Sequence, residues 1–482
     1  MKKLLVSLGI LVGLVVLAGI AIVLLVDVNA HKSRIESAVS DALGMEFRIQ
    51  GKAGLHLLPS ASISLSNIRL RNRGTDLAAV ETLRVGVKLR PLLSRQVEIT
   101  ELVLEKPVIR IEKGADGKFN FETPPRPPKP PAKGGEGPGA SLAVAGGTVR
   151  NGTVTYLDRK GGEKTEISGI DLSLKSLSLP AAPDTPLSKG ISFAGALRVK
   201  EIKGRDLAVT DVDAKVTASA GVYEIRPFTM KLFGGRGEGG IRIDLSRQKP
   251  DVQVKYALAK FRAEESLAAI SQKKSLSGPM TIVPDLSFRG NGAEEMKRTV
   301  RGQVSLRGED LTLHGMDIDG VLSTVEQAQQ MNLADMGTYL LAGPLGSSAV
   351  KGYRYGGDNR STAGEGESRI IRLVSDWTVR NGVAEARDVA FSTGKNRIAL
   401  KGKLDLVNGQ FVDVTVAVLD GKGCAKLRQR ISGPFADPRM DKMSMLQSVA
   451  APLLGIFERE AKRFLGSSAC EPFYTGTVQH PK

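Results

Sequence analysis

From Leu43 to Asn72 the chain reads "LGMEFRIQGKAGLHLLPSASISLSNIRLRN", with apolar residues mainly at every second position: Met45, Phe47 and Ile49, then Ile63 and Leu65, then Ile68 and Leu70. A period of two puts one residue set on each face of a strand, so the pattern predicts a sheet with one apolar side. The phase slips by one between Leu65 and Ile68, which predicts a bulge at Ser66 and Asn67. Leu83, Val85, Val87 and Leu89 then alternate with Arg84, Gly86, Lys88 and Arg90, and "VEITELVLEKPVIRIEK" and "GKFNFE" keep the same sidedness.

Just before this sheet, "HKSRIESAVSDAL" sets Ile35, Val39 and Leu43 four apart, and Gly44 follows as a stop; the spacing predicts a short amphipathic helix. Helical patterns recur at 263–272, 320–341 and 446–464, where Pro452 kinks or starts the last. "TVRNG" occurs at 148–152 and 378–382, in both places followed by alternation, and Asn-Gly between strand patterns predicts a two-residue hairpin turn. "GGRGEGGIRIDL", "RGQVSLRGEDLTLHG" and "NRIALKGKLDLVNGQFVDVTVAVLD" repeat the same grammar. The expected fold is mainly β: an elongated, twisted antiparallel sheet of consecutive hairpins forming a curved groove or an open sandwich, with one N-terminal transmembrane helix and a few short helices.

The anchor is read from Lys2 and Lys3 followed by an apolar run from Leu4 to Val26, long enough to cross a bilayer as helix. Val28-Asn29-Ala30 also resembles a cleavage site, which leaves a signal peptide as the alternative. The positive-inside bias keeps the two lysines cytoplasmic and the body on the far side. "PPRPPKPPAKGGEGPG" at 124–139 is an extended, then flexible, linker. The expected organisation is therefore an anchor (1–26), an N-terminal β domain (27–123), a linker (124–140), a central β segment (141–304) and a C-terminal β domain (305–482).

With 68 Lys and Arg against 51 Asp and Glu the formal charge is +17, but the cations are scattered among apolar residues as on a solvated strand face; anionic lipid head groups are the alternative. Basic patches interleaved with stacking aromatics are absent, which argues against nucleic acid. Cys424 and Cys470 stand alone and suit one disulfide in an oxidising compartment, or two unrelated thiols. The four histidines, His31, His56, His314 and His480, are dispersed and form no metal-spaced cluster. Gly235, Gly237 and Gly240 satisfy G-x-G-x-x-G, yet a strand-like "IRIDL" follows instead of the helix that would receive a pyrophosphate. Ser271 with Lys274 and Ser392 with Lys395 satisfy S-x-x-K without companion motifs. The expectation is a protein that is not an enzyme and uses no cofactor.

The anchor, the Leu-Gly-x-x-x-x-Ile-x-Gly start at Leu43–Gly51, Leu58-Pro59 before a strand, and Gly117–Phe121 occur in an order that resembles the AsmA family of inner-membrane-anchored periplasmic proteins; so does "SDWTVRNGVAEARDVAFSTGKNRIALKGKLDLVNGQFVDVTVAVLDGKGC". The resemblance covers about 1–123 and 305–482. It implies a role in outer-membrane biogenesis and lipid homeostasis, with phospholipid or another acyl-chain ligand carried in a β-groove, as in related bridge-like lipid-transfer proteins. The alternative is a scaffold for outer-membrane assembly proteins that does not bind lipid. On the lipid reading, Ile63, Leu65, Leu83, Val85, Val87 and Leu89 are the groove candidates, although the same residues suit an ordinary core.

Overall fold

The computed structural model describes residues 32–56, 61–88, 99–122, 146–178, 186–205, 207–271, 275–323, 366–441, 444–445 and 470–481. The expected anchor, the Pro-rich linker, nearly all of the helix expected at 320–341, and the terminal helix lie outside these residues. Among the described residues no helix is long and apolar enough to cross a membrane. The chain divides into two compact units, one of 1–231 with 240–248, the other of 232–239 with 249–482.

In the first unit, α1 (Lys32–Leu43) precedes β1 (Glu46–Ile49), β2 (Ala53–His56), β3 (Ser62–Asn72) and β4 (Thr75–Val87). Ile35 and Val39 of α1 are buried against Phe47, Ile49, Leu65, Leu70 and their neighbours, as their spacing predicts. The helix also closes the outer edge of β1. Phe47 N–H donates to Ser40 Oγ (2.9 Å) and Ile49 N–H to Glu36 Oε1 (2.6 Å), so backbone donors on an edge strand have partners.

The expected bulge is present. Asn67 adopts φ 52°, and the pairing steps by one between Ile49↔Ile68 and Ala53↔Leu65. The slip keeps Ile63, Leu65, Ile68 and Leu70 all buried despite the change of phase. Gly51 lies against it: a Cβ there would stand 2.6 Å from Ser66 O, so no larger residue fits. Asn tolerates a left-handed backbone and β-branched residues do not. Asn67→Val is therefore expected to cost about 1–2 kcal/mol, read as a lowered urea midpoint, with Asn67→Gly close to neutral.

Next come β5 (Ile99–Glu105), β6 (Val108–Lys113), β7 (Gly146–Asp158), β8 (Glu163–Ser178), the short α2 (Leu187–Gly190), β9 (Ser192–Lys203), β10 (Ala208–Ser219), β11 (Val222–Leu232) and β12 (Gly235–Asp244), the last divided between the units. β3–β4, β4–β5 and β7–β8–β9–β10 pair antiparallel, but β7 lies parallel to both β5 and β6. The wholly antiparallel expectation is corrected here. A parallel neighbour needs a crossover of a dozen or more residues, and the chain between Lys113 and Gly146 supplies it. The strand after the Pro-rich stretch thus pairs directly with the strands before it.

The first Asn-Gly is also corrected. Asn151 and Gly152 lie inside β7, with Asn151 at φ 51° and its N–H donating to Asp171 Oδ1 (2.9 Å). The tolerance of Asn for a left-handed backbone serves a bulge here, where β7 passes from β5 to β6 around Pro107, whose carbonyl accepts from Thr153 N–H (2.7 Å). The second Asn-Gly turns the hairpin between two strands of the other unit, as expected, with both residues left-handed.

The second unit contains β13 (Asp251–Arg262), α3 (Ala263–Ser271), β14 (Leu276–Ser277), β15 (Pro279–Arg289), α4 (Ala293–Thr299), β16 (Arg301–His314), α5 (Ile318–Val321), β17 (Glu367–Arg380), β18 (Val383–Ser392), β19 (Arg397–Asp405), β20 (Gln410–Leu419), β21 (Ala425–Pro434), β22 (Arg439–Met440) and β23 (Ser444–Met445). Consecutive antiparallel pairing runs from β15 through β21. The division expected at 304–305 falls inside β16, a strand paired along its length with β15 and β17. One sheet face carries a closed core that includes Leu311, Leu313, Ile370, Leu373, Phe391 and Ile398, all at 0% exposure.

The opposite face is covered as well, at one end of the strands. Val374, Ala390, Ala399 and Ala417 form one cross-strand row over β17–β20. Three alanines make the strip shallow, and the C-terminal segment 470–481 lies on it with Tyr474 and Val478 buried. Cys424 and Cys470 are disulfide-bonded there, with Cα atoms 6.2 Å apart.

Candidate functional site: an open apolar sheet face

Strands β7 to β10 carry a ladder in which apolar residues face apolar residues across each pairing. Val149, Leu172, Leu197 and Ala214 form one row; Val154, Ile167, Ile202 and Val209 form another. Between them Gly152, Ile170, Val199 and Val212 make a third, and Gly147, Leu174, Gly195 and Val216 a fourth. The reverse face is polar: Asp171 faces Arg198, which faces Asp213 and donates to its Oδ2 through Nε (3.0 Å).

Val199, Val209, Val212 and Ala214 of this ladder are buried, and what distinguishes it from the cores is the partial exposure of the residues on β7–β9. Val149, Val154, Ile167, Ile170, Leu172, Leu174, Leu197 and Ile202 are all only half-buried. Each aliphatic side chain left partly in water forgoes a fraction of its burial free energy, so several on one face constitute a standing affinity for apolar matter. Aromatic side chains are few there, Phe193 and Tyr156 standing near the ends of β9 and β7.

The residues singled out from the sequence lie elsewhere. Ile63, Leu65, Leu83 and Val85 are 0–5% exposed and pack together with Phe47, Ile68 and the α1 residues. They form a core. The side chain of Val87 and all of Leu89 lie outside the described residues. The ladder residues carried the same signal in "EISGIDLSLKSL", and were missed because alternation does not say whether anything packs on the apolar side.

The C-terminal strap is held by several polar contacts besides its disulfide. Tyr474 donates its hydroxyl to Asp388, whose Oδ2 accepts from Thr477 Oγ1 (2.7 Å) and Thr477 N–H (3.0 Å). Arg397, almost wholly buried, donates to the carbonyls of Val478 (3.2 Å) and Asp420 (2.9 Å), with its guanidinium 5.6 Å from the Tyr474 ring centre. Burial, and after it the hydrogen bond to Asp388, pushes the Tyr474 phenol above the usual tyrosine value, so it stays a donor at neutral pH.

One arrangement resembles catalytic geometry. Ser277 Oγ and His314 Nε2 share a hydrogen bond (2.8 Å), and His314 Nδ1 lies 2.7 Å from Glu367 Oε1, the order of a serine–histidine–acid triad. The donor that an oxyanion would require next to the serine is Gly278 N–H, and it is committed to Glu264 Oε2 at 3.0 Å. A carboxylate stands where negative charge would have to develop. The relay acts as a polar link across β14, β16 and β17. Among the described residues no cluster of His, Cys, Asp and Glu could hold a metal ion.

These features define a protein of repeated β-hairpins whose most distinctive surface is an open apolar sheet face. The chain belongs to the AsmA family, whose family model matches residues 1–201 and again 187–388. It is 27% identical over 229 residues to Protein AsmA of Escherichia coli (strain K12), a match covering 47% of this chain and 33% of that relative. The matched part is thus about a third of that relative's length.

Proposed function

We propose that this protein is a non-enzymatic carrier of acyl-chain lipids, phospholipid foremost, anchored in the inner membrane by residues 4–26 with its β body in the periplasm. Its role on this reading is lipid supply and homeostasis in outer-membrane biogenesis. The observation that carries the reading is the partly exposed apolar ladder on β7–β9. Each methylene of an acyl chain laid on such a face gains about 0.8 kcal/mol, enough to hold a tail without any chemical step. Family membership and the Cys424–Cys470 bond, which suits an oxidising compartment, add support.

The test is lipid extraction from the purified full chain. Leu172→Asp together with Leu197→Asp is expected to reduce co-purifying phospholipid at least tenfold, while Ser173→Asp on the polar face leaves it unchanged. Circular dichroism checks that both variants fold. A wild-type chain that carries no lipid would sink the proposal.

A further inference from the structure

Two adjoining clefts lie where α1 meets β1 and β3. The first, about 550 Å³, is lined by Ser33, Ser37, Glu36, Asp41 and Glu46, among others. The second, about 430 Å³, is lined by Arg48, Arg69, Arg71 and Asp76, and shares Glu36, Glu46 and Arg48 with the first. One end is therefore rich in carboxylates and hydroxyls and the other in guanidinium groups.

The basic end is arranged at a cost. Arg48 and Arg69 stand directly opposite each other in the β1–β3 pairing, a like-charge placement that disfavours the sheet. Arg48 is compensated by Glu46 (3.1 Å) and Glu36 (3.6 Å). Among the described carboxylates Arg69 approaches Asp76 alone, at 3.9 Å, and that carboxylate is shared with Arg71 (3.0 Å) and Arg110 (4.0 Å). Three guanidinium groups thus converge on one carboxylate, with much of each arginine in solvent. Arg71 Nε and Asp76 Oδ1 are buried without a hydrogen-bond partner despite their proximity, so the pair is not in good hydrogen-bonding geometry.

Four arginines (48, 69, 71 and 110) against four carboxylates (36, 41, 46 and 76) leave the region close to neutral but strongly dipolar. A simple anion would gain at one end and be repelled at the other. A ligand bearing an anion and a cation a few bonds apart gains at both. Guanidinium pairs suit phosphate, whereas carboxylates and serine hydroxyls accept hydrogen bonds that a primary ammonium can donate and a quaternary one cannot.

We propose that this cleft pair binds a zwitterionic phosphoethanolamine head group, with its phosphate between Arg48 and Arg69 and its ammonium toward Glu36 and Glu46. In the sequence α1 begins six residues after the apolar run ending at Val26, so on the anchored reading the cleft meets head groups at the membrane surface. The inference rests on the lipid-carrier reading for its biological sense and deepens it by naming the head group.

The test uses the full chain in detergent and soluble glycerophosphoethanolamine, with glycerophosphate, ethanolamine and inorganic phosphate as separate probes in titration calorimetry. Glycerophosphoethanolamine is expected to bind at least tenfold more tightly than any of the other three. Arg48→Ala with Arg69→Ala, and separately Glu46→Gln, should each remove that preference with the circular dichroism spectrum unchanged; Arg198→Ala, on the polar face of β9, should not. Inorganic phosphate binding equally well, or Glu46→Gln without effect, overturns the proposal in favour of a plain anion site. To separate a lipid source from a free one, the chain is mixed with vesicles of phosphatidylcholine alone or doped with phosphatidylethanolamine or phosphatidylglycerol. Retention of phosphatidylethanolamine about fivefold over the others is expected, and a preference for phosphatidylglycerol overturns the proposal. A chain that carries lipid without head-group preference overturns this inference alone. One that binds glycerophosphoethanolamine but retains no lipid overturns the carrier reading alone.

Discussion

Leu65→Asp is expected to unfold the amino-terminal core, whereas Leu172→Asp, a chemically identical change in the same kind of alternating strand, is expected to leave the fold intact. Leu65 is 0% exposed and packs with Phe47, Ile68, Val85 and the α1 residues. An ionised carboxylate there loses its hydration with no partner, a penalty of several kcal/mol, added to the lost burial of about 2–3 kcal/mol. Together these are comparable to the whole stability of an ordinary domain. Leu172 is only partly buried on the ladder, so an aspartate there keeps part of its hydration and removes mainly affinity for an apolar ligand. Limited proteolysis of residues 32–122 in the two variants is the direct comparison. Equal loss of protection in both would mean that the ladder is a core, and would remove the basis of the lipid reading.

Cys424→Ser is expected to free the C-terminal strap. The bond closes a separation of 46 residues, which in the chain-entropy model corresponds to about 4 kcal/mol. What remains is the burial of Tyr474 and Val478 and the contacts of Asp388 and Arg397, a set with little margin over the entropy of ordering twelve residues. Hydrogen exchange should rise at Tyr474 and Val478 N–H, which donate to Gly423 O and the Tyr474 hydroxyl, and along the Ala390, Ala399 and Ala417 row. The opposite face, built on Leu373, Phe391 and Ile398, should stay protected because its packing does not involve the strap. Full protection of the strap in the variant would show that its polar contacts suffice.

Much of the β architecture is legible along the chain because a strand with one buried face must alternate. The bulge at Asn67, the helix at 263–271 and the hairpin at Asn381-Gly382 follow from residues whose backbone or spacing preference is local. The same preferences misled where one local conformation serves two purposes. A left-handed Asn can turn a hairpin, as at Asn381, or bulge a strand, as at Asn151, and only the neighbouring strand decides which. Parallel pairing of β7 with β5 and β6 was likewise hidden, since direction depends on where a connection returns. The candidate site shows the largest gap. Ile63, Leu65, Leu83 and Val85 read just like Ile167, Ile170, Leu172 and Leu174, yet the first set is sealed under α1 and the second is half open.

By itself the sequence determined that this chain forms one-sided strands, and where several of them bulge or turn; each of these depends on residues near one another in the chain. The tertiary structure alone decided which apolar faces became cores and which stayed open. It also placed Arg48 opposite Arg69 and three arginines around Asp76, because burial and charge pairing depend on partners that the chain brings together from distant positions.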